Sequence, residues 1–264
     1  MASTKTRQGV FVAVFILILL VIDQVIKIWV KTSMPLYDTI EIASWFKIHY
    51  IENNGMAFGM TFINKLFLSL FRLVAIIWLS YYIVKLIQKG ARRGYILLVA
   101  VITAGAIGNM IDSMFYGLIF TGASPHYVSY LVPFGEGYAP FLMGKVVDMF
   151  YFPLINGTFP EWFPIWGGED FVFFSPVFNF ADACVSVGVV AMLIFYQKEL
   201  VELFQDDKKK AAEEAEEAEE AEEAEAAEEA ETAGEPSAEA EAVSEAVSET
   251  VSEAQEQPAE AQNS

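Results

Sequence analysis

The sequence predicts an all-α membrane protein with a small β element. It should have four transmembrane helices, both termini on the cytoplasmic side, and strands with an aromatic flap on the opposite face. Three observations carry that expectation. Apolar residues make up 55% of the 264 positions, more than in an ordinary soluble domain. Four stretches are apolar over the roughly 20 residues that crossing a bilayer requires. Lysine and arginine crowd alternate flanks of those stretches, in the order that four crossings demand.

The first stretch begins near Gly9, holds thirteen uninterrupted apolar residues from Val10 to Ile22, and continues to about Val30. Lys5 and Arg7 before it resemble the start of a secretory signal, but no small-x-small cleavage site follows. It therefore reads as an uncleaved helix. The second stretch runs from Leu66 to Val84, the third from Tyr95 to Ile111 and the fourth from Val177 to Phe195. Lys5 and Arg7, then Lys85, Lys89, Arg92 and Arg93, then Lys198 fall on one side. The opposite loops, about 31–65 and 112–176, carry only Lys31, Lys47, Lys65 and Lys145. Positive flanks stay cytoplasmic.

The net charge of -19 belongs to the C-terminal end. From Asp206 onward there are 22 acidic and 3 basic residues, which leaves 13 of each in the first 205. A boundary is expected there, with a membrane domain over 1–205 and an acidic low-complexity tail over 206–264. The tail's Glu-Glu-Ala repeats set like charges on one helix face, so it should be disordered on the cytoplasmic side, away from any chemistry. Cys184 is the single cysteine, which excludes an internal disulfide or a cysteine-ligated zinc; it reads as a buried packing thiol. His49 and His126 lack metal-ligand spacing and read as polar loop residues. No metal, cofactor or nucleic-acid partner is expected.

On the outer face, Glu41 to Ile51 alternates in part and is rich in β-branched and aromatic residues, as one or two surface strands would be. Between Met149 and Phe180, twelve of 32 residues are Phe, Tyr or Trp. Aromatic rings favour the headgroup level, which makes this segment an interfacial flap.

Against that background a few polar residues stand out. Asp148 and Asp182 each lie in an apolar setting, where an ionised carboxylate costs at least a few kcal/mol. One such acid could be a helix cap or half of an ion pair. Two, with Asn179 one turn from Asp182, point to acids that face each other at the membrane surface and perform general acid/base hydrolysis. Asp23 and Lys27 are four apart on one helix face and read as a structural clamp. Asn53 and Asn54 before Gly55 make a turn, or present an amide that both donates to and accepts from a peptide backbone. Gly105, Ala106 and Gly108 allow a helix to approach closely, and Asn109 and Asp112 share one face beside them. Intramembrane acids also suit an ion relay or transporter, but neither mid-bilayer acids nor an internal repeat is evident. An inert scaffold that binds lipidated partners is the remaining class.

Five motifs occur in order: Asp23-Gln-x-x-Lys27, Asn53-x-Gly-x-Ala-Phe58, Gly105-Ala-x-Gly-Asn-x-x-Asp112, Val147-Asp148 and Phe178-Asn-x-Ala-Asp182. Together they resemble the lipoprotein signal peptidase family, signal peptidase II, over about residues 10–196. The resemblance implies a bacterial inner-membrane aspartic protease with a periplasmic β-cradle and its active site near the periplasmic face. Its substrate would be a prolipoprotein carrying diacylglyceryl on the lipobox cysteine, cut just before that cysteine. Asp148 and Asp182 would be the catalytic dyad, and Asn53, Gly55, Asn109, Asp112 and Asn179 would line the substrate site. Sensitivity to globomycin-type cyclic peptides, contact with membrane lipids and action as a monomer are the corresponding partner expectations. Two departures stand out. The family commonly has arginine directly after the residue matching Asp112, where this chain has Ser113. The stretches 113–144 and 149–177 are longer than usual.

Overall fold

A computed structural model describes residues 2–54 and 65–201. Two compact units divide after Gln197, and every element named below belongs to the first. Of the second only residues 198–201, which are helical, are described. The acidic tail therefore lies outside the described residues.

The helices are α1 (Ala2–Ser33), α2 (Lys65–Lys89), α3 (Arg93–Ile111), the single turn α4 (Gly117–Ile119) and α5 (Phe180–Phe195). A π turn, Asp112–Tyr116, joins α3 to α4. Among the described residues, three helical runs are long and apolar enough to cross a membrane: Thr4–Ser33, Lys65–Lys89 and Arg93–Ile119. α5 is as apolar, but its 16 residues rise only about 24 Å. It starts three residues later than the sequence indicated. Val177 and Phe178 pair as a short strand instead, and Asn179 takes the extended backbone of an N-cap, with φ -116° and ψ 179°. Outward-facing apolar side chains are the rule: on α2, Phe67, Phe71, Val74 and Ile77 are 60–65% exposed. Such a surface suits lipid and would be a liability in water.

α2 stops at Gly90, whose φ of +73° only glycine adopts freely. Its N–H reaches the Ile87 carbonyl at 3.2 Å, and that of Ala91 reaches the Leu86 carbonyl at 3.0 Å, a Schellman end. Lys5 Nζ adds a third contact at 2.7 Å to the Gln88 carbonyl, where the helix dipole favours a cation.

α3 is central and packs on α1, α2 and α5. The small-residue patch explains how. A Cβ at Gly105 would overlap the Ala181 carbonyl oxygen and lie 2.8 Å from Val185 Cγ2; one at Gly108 would lie 2.5 Å from the Asp23 carboxylate. Two effects compete in Gly105→Ala. Alanine is the better helix former by about 1 kcal/mol, but overpacking against backbone costs about 1–3 kcal/mol. Backbone cannot rotate away as a side chain can, so Gly105→Ala should lower the thermal unfolding midpoint in detergent; an increase would show that α3 and α5 are not in close contact.

The strands are β1 (Thr39–Ala43), β2 (Phe46–Asn53), β3 (Val146–Tyr151), β4 (Ile155–Thr158), β5 (Asp170–Phe173) and β6 (Val177–Phe178). One antiparallel sheet has the order β1-β2-β3-β6, and β4-β5 form a separate hairpin. His49 is not a loop residue. It sits on β2 opposite Thr39, its Nδ1 2.7 Å from that hydroxyl. One face of β2 and β3 (Ile48, Tyr50, Val147, Met149) buries against Val30 and Met34 of α1 and against Tyr116 and Phe120. This packing fixes the sheet at the end of the bundle where α1 and α3 finish and α5 begins. The β4-β5 hairpin carries an aromatic stack of Phe159, Phe163, Trp166 and Phe171.

Candidate active site

Several elements bring their polar side chains to that one end. Asp23, Gln24 and Lys27 come from α1, Asn109 from the end of α3 and Asp112 from the π turn that follows it. β3 supplies Asp148, and the start of α5 supplies Asn179 and Asp182. Asp23, Lys27, Asn109, Asp112, Asp148 and Asn179 are all 5% exposed or less, whereas Asp182 is half-buried. Buried groups of this kind need partners, and each has them.

Lys27 uses all three of its donors. Its Nζ lies 3.0 Å from Asp23 Oδ2, 2.9 Å from Asp112 Oδ2 and 2.8 Å from Asn109 Oδ1. Because an ammonium can only donate, Asn109 must turn its oxygen to Lys27 and its NH2 the other way. That NH2 donates to Asp182 Oδ1 at 2.7 Å. Asn179 is fixed by the same logic. Its Oδ1 accepts the Asp182 backbone N–H at 2.9 Å, so its NH2 faces inward and donates to Asp148 Oδ1 at 2.6 Å and to Asn109 Oδ1 at 3.1 Å. Asp148 also takes a hydrogen bond from Asn53. The two acids, 34 residues apart in sequence, are thus joined through two amides whose orientations are set by obligate donors.

The first turn of α5 is held from two sides. Asn179 and Asp182 form a reciprocal capping box, and Asp23 Oδ1 accepts the Ala181 N–H at 3.0 Å. A carboxylate reaching over from α1 thereby satisfies an orphan helix donor and complements the dipole. Asp112 also accepts from Gln24 at 3.0 Å and from the Val147 N–H at 3.2 Å, which fixes β3 one residue before Asp148. Burial, and then the charge of Asp182, push the Asp148 carboxyl up from 3.8 to about 7; the hydrogen bonds from Asn53 and Asn179 only partly offset this.

Gly55 lies outside the described residues. Ser113 is buried and donates to the Asn109 carbonyl at 3.1 Å, so the position carries no charge. The sequence reading missed Gln24 and Tyr116, whose hydroxyl donates to Gln24 Oε1 at 3.1 Å. It also missed a second polar knot beside the site. Buried Lys31 pairs with Glu52, which accepts from Tyr50 OH at 3.0 Å and lies 3.5 Å from Lys145 Nζ. Burial and the Glu52 charge push the Tyr50 phenol well above its usual range.

Fold and site together define a multi-pass membrane protein with a buried, carboxylate-rich cluster at one end of its helix bundle. A family model described as Signal peptidase (SPase) II matches residues 15–198. The lipoprotein signal peptidase of Porphyromonas gingivalis is 52% identical over 216 residues, 81% of this chain and 95% of that one. That of Amoebophilus asiaticus is 36% identical over 185 residues, 67% and 74% of the two chains. A solved bacterial membrane enzyme overlaps at TM-score 0.46 and 22% identity, covering 70% of this chain and 90% of that one. The chain belongs to the signal peptidase II family, a family of proteases, as the five motifs indicated.

Proposed function

We propose that the chain is an aspartic endopeptidase that removes the signal peptide from diacylglyceryl-modified prolipoproteins, cutting just before the lipidated cysteine. The observation that carries this reading is the amide bridge: Asn109 and Asn179 hydrogen-bond each other while each donates to a different acid, Asp182 and Asp148. Family membership supplies the substrate class. Asp148, with its proton affinity raised to about 7, carries the shared proton and donates it to the scissile carbonyl oxygen. Half-buried Asp182 takes a proton from the attacking water. Asn53, Gly55, Asn109 and Asn179 hold the extended peptide, and Asn109 and Asn179 also orient the acids. Asp23 and Lys27 form a structural pair that positions Asn109 and the first turn of α5, and Asp112 lies at the substrate site while it holds Lys27 and the Val147 N–H.

The same reading makes α5 the fourth span and places both termini in the cytoplasm of a bacterium, with the acids at the periplasmic face of the inner membrane. The sheet is the cradle, the aromatic hairpin is the interfacial flap, and residues 206–264 form a separate acidic tail. The protein acts as a monomer among membrane lipids and is blocked by globomycin-type peptides. Purified protein incubated with a diacylated prolipoprotein should release the signal peptide, with the new N-terminus at the lipidated cysteine by mass spectrometry, and globomycin should stop it. No cleavage, or cleavage elsewhere, refutes the assignment.

The sign of the pH dependence follows. Catalysis needs Asp148 protonated, so kcat/KM should be high below about 7 and fall about tenfold per unit above it. A profile that keeps rising between pH 7 and 9 would remove Asp148 as the proton donor.

A further inference from the structure

At the opposite end of the bundle, a cavity of about 420 Å³ opens between the first turns of α1 and α3. Its polar lining is Thr4, Arg7 and Gln8 from α1 and Arg93 from α3; its apolar lining includes Phe11, Val12 and Ile96. Val12 and Ile96 are buried and belong to an apolar core cluster with Val99 and Ile83. Arg7 and Arg93 are both exposed, and among the described residues neither has a carboxylate in ion-pair range. The bases beside them have other contacts: Lys5 holds the end of α2, and Arg92 lies 4.9 Å over the Tyr196 ring.

The cavity therefore pairs two cationic forks, from two different helices, with an apolar floor. Its size lies within the about 300–1,000 Å³ of ordinary ligand sites. Guanidinium binds phosphate oxygens two at a time, and basic pockets between membrane helices suit anionic headgroups. Helices that cross a bilayer bring such an end to the headgroup layer, whichever leaflet it faces. We propose that this cavity seats one anionic diacyl phospholipid. Its phosphate would lie between Arg7 and Arg93, and the start of one acyl chain would run along Phe11 and Val12 toward the bilayer. Arg7 and Asp23 are sixteen residues apart on α1, about 24 Å along the axis, so the lipid would not touch the acid cluster.

The full chain in neutral detergent, titrated with phosphatidylglycerol or phosphatidylcholine and followed by native mass spectrometry, tests this. Wild type should retain one phosphatidylglycerol with about 30-fold preference over phosphatidylcholine, from two arginine contacts. In Arg7→Gln/Arg93→Gln the preference should fall to about one, while cleavage in lipid-free detergent stays unchanged. Each single variant should lose about fivefold, which covers the case in which the double variant does not fold. Equal retention by wild type and variants overturns the proposal. So does displacement of the lipid by an equal concentration of glycerol 3-phosphate, which would mean a site for a soluble anion.

Discussion

Asp148→Asn and Asp182→Asn should each lower cleavage of a diacylated prolipoprotein by about 10²–10⁴-fold or more, the range expected when a general acid or base is removed. The two variants should then differ in stability. Folding raises the Asp148 value from 3.8 to about 7, so the folded state holds this proton more tightly than the unfolded chain. Stability from that proton is complete below 3.8 and is lost as pH rises through 7. Asparagine has the shape of the protonated acid and cannot ionise. Above pH 7, Asp148→Asn should therefore be inactive yet more stable than wild type by a few kcal/mol, at about 1.4 kcal/mol per pKa unit. Thermal unfolding at pH 8 beside the cleavage assay checks both halves. A variant that is inactive because it is unfolded would not support the dyad.

Lys27→Met should be the most damaging single change to folding. Methionine approximates the lysine stem, so packing survives, but Asp23 and Asp112 lose the ammonium that both contact. Breaking a buried pair from one side costs about 3–5 kcal/mol, because an uncompensated charge remains. Here the charge lost also orients Asn109, so residual activity should fall with stability. Adding Asp112→Asn to Lys27→Met removes one stranded charge and should restore part of the loss in the unfolding midpoint. If the double variant is no better than the single, the cost lies in packing rather than charge.

How much of this was legible depended on the range of the interaction. α1, α2 and α3 are written in continuous hydropathy. β3 was not seen as a strand. Val146, Val147, Asp148 and Met149 are all buried, and a strand covered on both faces shows no alternation. The start of α5 was misplaced because the apolar run through Val177 and Phe178 continues into the helix, and only pairing with Phe150 and Tyr151 separates them. Gln24 lay inside a quoted motif, yet its partner Tyr116 is 92 residues away. Lys31 and Glu52 are 21 residues apart, and nothing local says that they meet out of water. Asp112 drew notice as a polar residue beside Asn109; that it also holds Lys27 and the Val147 amide is a purely tertiary fact.

The coupled acid pair is reached most directly by titrating the Asp148 carboxyl, using isotope-edited infrared difference spectra of the wild type and of Asp182→Asn. The wild-type midpoint should lie near 7, and it should move down in the variant, because the Asp182 charge that helps to raise it has gone. A wild-type midpoint near the ordinary aspartate value of about 3.9, or one that Asp182→Asn leaves unmoved, would contradict the shared-proton pair.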